Sequence, residues 1–189
     1  MLKVLVSKCR TYRRFYENQS IPVEKLKELV DLTRFTASTA NSQVLKFRLV
    51  YTEKENENVF KTLGWADDLP DWKGPEKGER PSAYIIILSD LSLGKYKPIN
   101  DGIAAQTIML GATEMGYGGC MLGNVKRKQL AESLGIDPSL YSIDLVLALG
   151  KPKEEVVIVP AKEDGNVTYY RDENQIHYVP KRELKDIIV

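Results

Sequence analysis

At 189 residues, with 27 Lys and Arg against 26 Asp and Glu, the chain has the length for one domain with a sizeable core and a formal net charge of +1. No global field therefore draws it to nucleic acid or to an anionic membrane, and its longest weakly charged run, 102–116, falls short of the roughly 20 residues that span a bilayer. Two cysteines, Cys9 and Cys120, lie far apart without metal-ligand spacing, which argues against a disulfide framework and against a zinc site.

The first apolar run, 1–6, is too short for a secretory signal and lacks a small-residue cleavage pattern, so a reducing cytoplasm is the expected location. Ser20, Pro22 and Glu24 open a helix, and Leu26, Leu29, Val30 and Thr33 recur at helical spacing to about Phe35. Residues 47–52 are rich in strand formers, and the charged segment 53–63 suits a surface helix closed by Gly64. Both tryptophans and three prolines fall in 65–81, which reads as a long, lid-like loop. The continuous apolar run 83–88 predicts a central strand buried on both faces. Residues 101–115 are helical in character with Glu114 as the only charge after Asp101, so both faces are expected to meet protein, in the core or at a subunit interface. A glycine-rich strand at 116–122, an amphipathic helix at 126–134 stopped by Gly135, and a buried strand at 143–149 follow. Beyond Pro152 the pattern weakens into an extended tail, 153–189, and the whole chain reads as a single domain without repeats or linkers.

Three segments carry candidate chemistry. Arg10, Arg13 and Arg14 crowd the start of the chain, where planar, permanently charged forks suit a bound anion; a solvated basic loop is the competing reading. The turn 36–43 is rich in small polar groups. Its Asn41 and Gln43 each place a donor beside an acceptor, as a heterocycle edge requires, although a plain helix-terminal loop has the same composition. Glycines 116, 118 and 119 let backbone approach either a flat ligand or a packed neighbour. Protein-based catalytic sets are missing: the single histidine, His177, reads as a surface or packing residue, and Cys120 as an inert packed thiol. An enzyme built this way would draw its reactivity from a cofactor.

Taken together, Arg10-Thr11-x-Arg13-x-Phe15, Ser38-x-x-Asn41-x-Gln43, Asp101-Gly102-x-x-x-Gln106 leading to Gly116-Tyr117-Gly118-Gly119-Cys120, and Gly150-x-Pro152 resemble, in order and spacing, the successive motifs of the FMN-dependent nitroreductase family. The resemblance implies an α+β, three-layer fold with a mixed, mainly antiparallel central sheet flanked by helices. It also implies an intertwined homodimer with FMN at the subunit interface, hydride taken from NADH or NADPH onto flavin N5, and electrons passed by a ping-pong mechanism to nitroaromatics, quinones or another electron-poor acceptor. A flavin-binding sensor or carrier without turnover is the alternative.

Carried over by position, Arg10 and Thr11 would hold the phosphate and ribityl end, and Arg13 would reach the N1 and C2-carbonyl side of the ring as the catalytic group. Ser38, Thr39, Asn41 and Gln43 would approach from the partner subunit. Met121 and Leu122 would lie along the ring, with Cys120 counted among the FMN contacts and the amide of Gly123 near N5. Lys181 and Arg182 resemble a C-terminal basic pair that closes over the phosphate. Cys9 and Val44 depart from the pattern, standing where the family often has Arg and Pro. Trp65 and Trp72 would either roof the flavin or pack their own loop.

Overall fold

A computed structural model describes residues 1–66, 68–69, 71–94 and 98–189; residues 67 and 70 of the predicted lid-like loop thus lie outside the described residues. Four strands, β1 (Leu45–Val50), β2 (Ala83–Asp90), β3 (Gly118–Leu122) and β4 (Tyr141–Gly150), form one sheet in the order β1-β2-β4-β3 with every pairing antiparallel. Helices α2 (Val23–Leu32) and α4 (Pro98–Glu114) cover one face, and α3 (Glu53–Phe60) and α5 (Arg127–Leu134) the other, which makes the expected three layers. The unbroken apolar run of β2 is explained by this double cover. Ile85 and Ile87 pack with Leu26, Leu29, Ile108 and Leu147, whereas Tyr84 and Ile86 pack with Val59, Leu130 and Val146.

Several boundaries moved for identifiable reasons. Strand β1 starts two residues earlier than the composition predicts, because its register follows β2 from Leu45↔Ser89 to Val50↔Tyr84. It ends at Val50 because Thr52 turns to accept the Glu55 amide and cap α3 (3.4 Å). Helix α2 closes by tightening into a 3-10 turn over Thr33–Phe35. Gly135, at φ 64°, ends α5 as predicted.

Two features were not anticipated. A seven-residue helix, α1 (Leu2–Lys8), opens the chain and buries none of its residues. The tail, read only as extended, folds into a second sheet of β5 (Val156–Pro160), β6 (Tyr170–Arg171) and β7 (His177–Lys181), ordered β5-β7-β6 with β5 and β7 parallel. No helix among the described residues is long and apolar enough to cross a membrane.

Candidate functional site

The arginine-rich segment after α1 is laid along the open edge of β3. Thr11 bridges Gly119, and the Tyr12 amide donates to the Gly119 carbonyl at 2.8 Å. Phe15, fully buried, bridges Pro152 and donates its amide to the Glu79 carbonyl at 2.9 Å. Glycines make this close approach feasible: a Cβ on Gly118 would overlap the Tyr12 ring and Pro152, and one on Gly150 would meet the Phe15 ring at 2.8 Å. The close-packing reading of Gly118 and Gly119 is therefore the one the structure supports; a Cβ on Gly123 would point into open space.

The segment is clamped from the tail. Glu154, buried, accepts from the amides of Arg13 and Arg14 and pairs with the guanidinium of Arg171 at 3.0 Å. Arg14 meets Glu79 through two donors at 2.5 and 2.7 Å, with Lys153 Nζ 2.8 Å from the same carboxylate. This bonding holds the Glu79 carboxyl down to about 2.

With Arg14 so engaged, Arg10 and Arg13 remain for the cleft on the other side. The cleft has a volume of about 340 Å³ and is lined by Arg10, Thr11, Arg13, Met121, Tyr169, His177 and Lys181 together with Cys9, Gln106, Met109 and Val179. Among the described residues, three cations and no carboxylate line it. Arg13 lies with its guanidinium carbon 4.8 Å from the centre of the Tyr169 ring and Nη1 3.4 Å from His177 Nε2. Arg10 donates to the Val6 carbonyl in the last turn of α1 at 3.0 Å. The Nε atoms of Arg10 and Arg13 are buried without a hydrogen-bond partner among the described residues. Such a donor-rich, carboxylate-free wall fits a phosphate and the carbonyl-bearing edge of a heterocycle.

Met121, 38% exposed, faces this cleft, but Cys120 and Leu122 do not. Successive side chains of a strand point to opposite faces, so these two enter the core beside α3 and α5, and burial pushes the Cys120 thiol up to about 11. Neither side chain faces the cleft, which differs from the placement along the ring expected of Leu122. Strand groups alternate sides as well, so the Met121 amide leaves the sheet on the same open edge as the Gly119 carbonyl. Gly123 and Arg182 are exposed and lie outside the cleft lining, whereas Lys181 is part of it.

The polar turn lies elsewhere. Ser38, Asn41 and Gln43 line a separate cavity of about 300 Å³ with Asn100, and Thr39 donates its amide and hydroxyl to Asn100 Oδ1 at 2.9 and 3.0 Å. Ala40, Asn41 and Gln43 all adopt left-handed backbone, at φ 53°, 51° and 46°. Strain of this kind persists where function or packing demands it. Within one chain the turn and the arginine cleft do not meet.

The tryptophans pack their loop. Trp65, 8% exposed, joins the core beside Phe60 and stacks edge-on against Trp72 at 6.4 Å, and the Arg171 guanidinium lies 4.3 Å from the centre of the Trp72 ring. Neither lines the cleft. Sequence reasoning missed Glu154, Tyr169, Arg171 and the placement of His177. The one available signal was that the sole histidine shares the tail with a tyrosine pair.

Burial, reinforced by Arg13 and Arg171, lowers the His177 pKa from 6.5 to about 4. The folded chain thus keeps this imidazole neutral where the unfolded chain protonates it. That contribution to stability is intact above about pH 6.5 and is lost as pH falls toward 4. Unfolding free energy should drop by about 2–3 kcal/mol between pH 7 and 4.5 from this group alone. Urea midpoints at the two pH values check it, with His177→Gln expected to lose distinctly less over the same interval.

A model of the nitroreductase family matches residues 6–151. Solved structures with the same fold include a Staphylococcus epidermidis protein provisionally named an NAD(P)H:FMN oxidoreductase, 17% identical with a TM-score of 0.72 over 100% of this chain and 95% of that one. A Clostridium novyi nitroreductase family protein is 20% identical with a TM-score of 0.66, covering 81% of this chain and 87% of its own. An FMN-dependent nitroreductase from Clostridium difficile is also 20% identical, with a TM-score of 0.64 over 80% and 87% of the two chains. No curated protein matches the sequence.

Proposed function

The chain belongs to the nitroreductase family, and from that premise we propose that it is an FMN-dependent oxidoreductase that takes hydride from NADH or NADPH and passes electrons to a nitroaromatic, a quinone or a similarly electron-poor acceptor. The observation that carries this reading is the cleft walled by Arg10, Arg13 and Lys181, with no carboxylate in its lining among the described residues. Arg10, Thr11 and Lys181 would bind the phosphate and ribityl end. Arg13 would present its fork to the N1 and C2-carbonyl edge, and Met121 would lie against the ring. Bound there, FMN would supply hydride acceptance at N5 and delivery of both electrons to the acceptor, in alternating half-reactions. The protein's share is electrostatic: a fixed, half-buried guanidinium favours negative charge beside it without reorganising.

A second copy of the chain would complete the site. Ser38, Thr39, Asn41 and Gln43 are remote from their own cleft, and α1 exposes Met1, Leu2, Val4 and Val6 while the C-terminus exposes Leu184, Ile187, Ile188 and Val189. Apolar surface on both termini suits an intertwined homodimer. A carrier or sensor would favour a sealed flavin, and the inward packing of Trp65 and Trp72 leaves no tryptophan roof over the cleft. The purified protein should be yellow, run at twice the 21.4 kDa chain mass, and oxidise NADH or NADPH faster when a nitroaromatic is added. Bound FMN with no such oxidation would favour the carrier, and a colourless protein without affinity for FMN would end the proposal.

A further inference from the structure

The groups around Arg13 lead to a role for the chain's single histidine. Arg13 is restrained three ways: its amide by Glu154, its guanidinium face by Tyr169, and Nη1 by His177 Nε2 at 3.4 Å. Because guanidinium can only donate, His177 Nε2 is the acceptor and the ring proton belongs on Nδ1, which is buried without a partner among the described residues. His177 is 1% exposed and held by β7, its amide donating to the Glu155 carbonyl at 2.9 Å. The charged and titratable groups around it are Arg13 from the N-terminal segment, Arg171 across the β6–β7 pairing, Tyr169 with ring centres 5.2 Å apart, and Lys181 in the same cleft. Glu154, the nearby carboxylate, is bound to Arg171 and to backbone amides.

Resting on the FMN reading, we propose that His177 is a positioning residue that aims the Arg13 guanidinium at the flavin while leaving its charge uncancelled. Most structural arginines are held by a carboxylate, which neutralises them. A neutral imidazole fixes direction only, so the full positive charge remains available to the cofactor. Its depressed pKa keeps it neutral throughout the physiological range.

Three measurements test this. In the apo-protein, the imidazole ¹⁵N signals belong to a single residue. They should show a proton on Nδ1 and no titration above about pH 5, and Arg13→Ala should raise the apparent pKa toward 6.5. A wild-type histidine titrating near 6.5 would overturn the contact whether or not FMN binds. In the FMN-loaded protein, His177→Phe should lower the affinity for reduced relative to oxidised cofactor about tenfold, which is about 30 mV in the two-electron midpoint potential. His177→Glu should lose as much or more despite being a stronger acceptor, because it cancels the charge, and His177→Gln should stay near wild type. Equal shifts in all three variants, or none, would overturn the positioning role while leaving the FMN reading intact. Failure of wild type to quench FMN fluorescence on titration would overturn that reading, and this role with it.

Discussion

Arg13→Ala is expected to slow reduction of bound FMN by NADH or NADPH by about 10²-fold while weakening FMN binding less than about tenfold. A charge fixed beside a developing negative charge in a partly shielded cleft contributes on the order of a few kcal/mol, and about 2.7 kcal/mol is a hundredfold in rate. Arg13 is placed for this by the hydrogen bond its backbone amide donates to Glu154, behind the cleft, and by its contacts with Tyr169 and His177 inside it. Arg10 differs: it is tied to the end of α1 through the Val6 carbonyl and sits beside Thr11. Arg10→Ala should therefore raise the FMN dissociation constant far more than it slows the reduction of FMN that remains bound. Stopped-flow reduction traces and equilibrium FMN titrations on the two variants separate the roles. Matching losses in both quantities for both variants would mean that the two guanidinium groups act only as general positive charge.

The largest stability effect should come from a residue with no place in the chemistry. Glu154→Ala removes the acceptor of two backbone amides and the partner of Arg171, in a pair whose side chains are 1% and 8% exposed. Deleting one partner of a buried pair leaves an uncompensated charge and typically costs about 3–5 kcal/mol. For a chain of this length that lowers the melting temperature by about 10 °C. Arg171 also stacks on Trp72, and Trp72 packs on Trp65, so the loss should loosen the 65–81 loop together with the N-terminal segment. Glu154→Gln keeps an acceptor for the amides and should cost less. Thermal and urea unfolding of both variants would check this; a Glu154→Ala protein as stable as wild type would show that water satisfies Arg171 and that the clamp is not needed.

Much of the layered core was legible from local pattern. The unbroken apolar runs at 83–88 and 145–149 call for cover on both faces, and β2 and β4 occupy the middle of the sheet for that reason. Helix ends were legible where a single residue carries the signal, as at Gly135. Arg10 and Arg13 stood out as members of a guanidinium cluster that suits a bound anion, and both line the cleft, while Arg14 of the same cluster pairs with Glu79. The second sheet was not legible: β6 spans two residues, and β7 carries His177, Tyr178 and Pro180, so neither shows the alternation that marks a strand.

What the sequence by itself determined is which helices and strands are buried on both faces and where the cations are supplied, because periodicity and residue type are local properties of the chain. Tertiary structure alone decided which side chains of the strand 118–122 face the cleft, since a run of glycines and apolar residues has no polar face to orient it. It alone brought Glu154 and His177 to Arg13, across sequence separations of 141 and 164 residues. Contacts of that range leave no spacing to read. They arise where the N-terminal segment crosses the open edge of β3 and the tail folds back over it, which follows from the order of the strands.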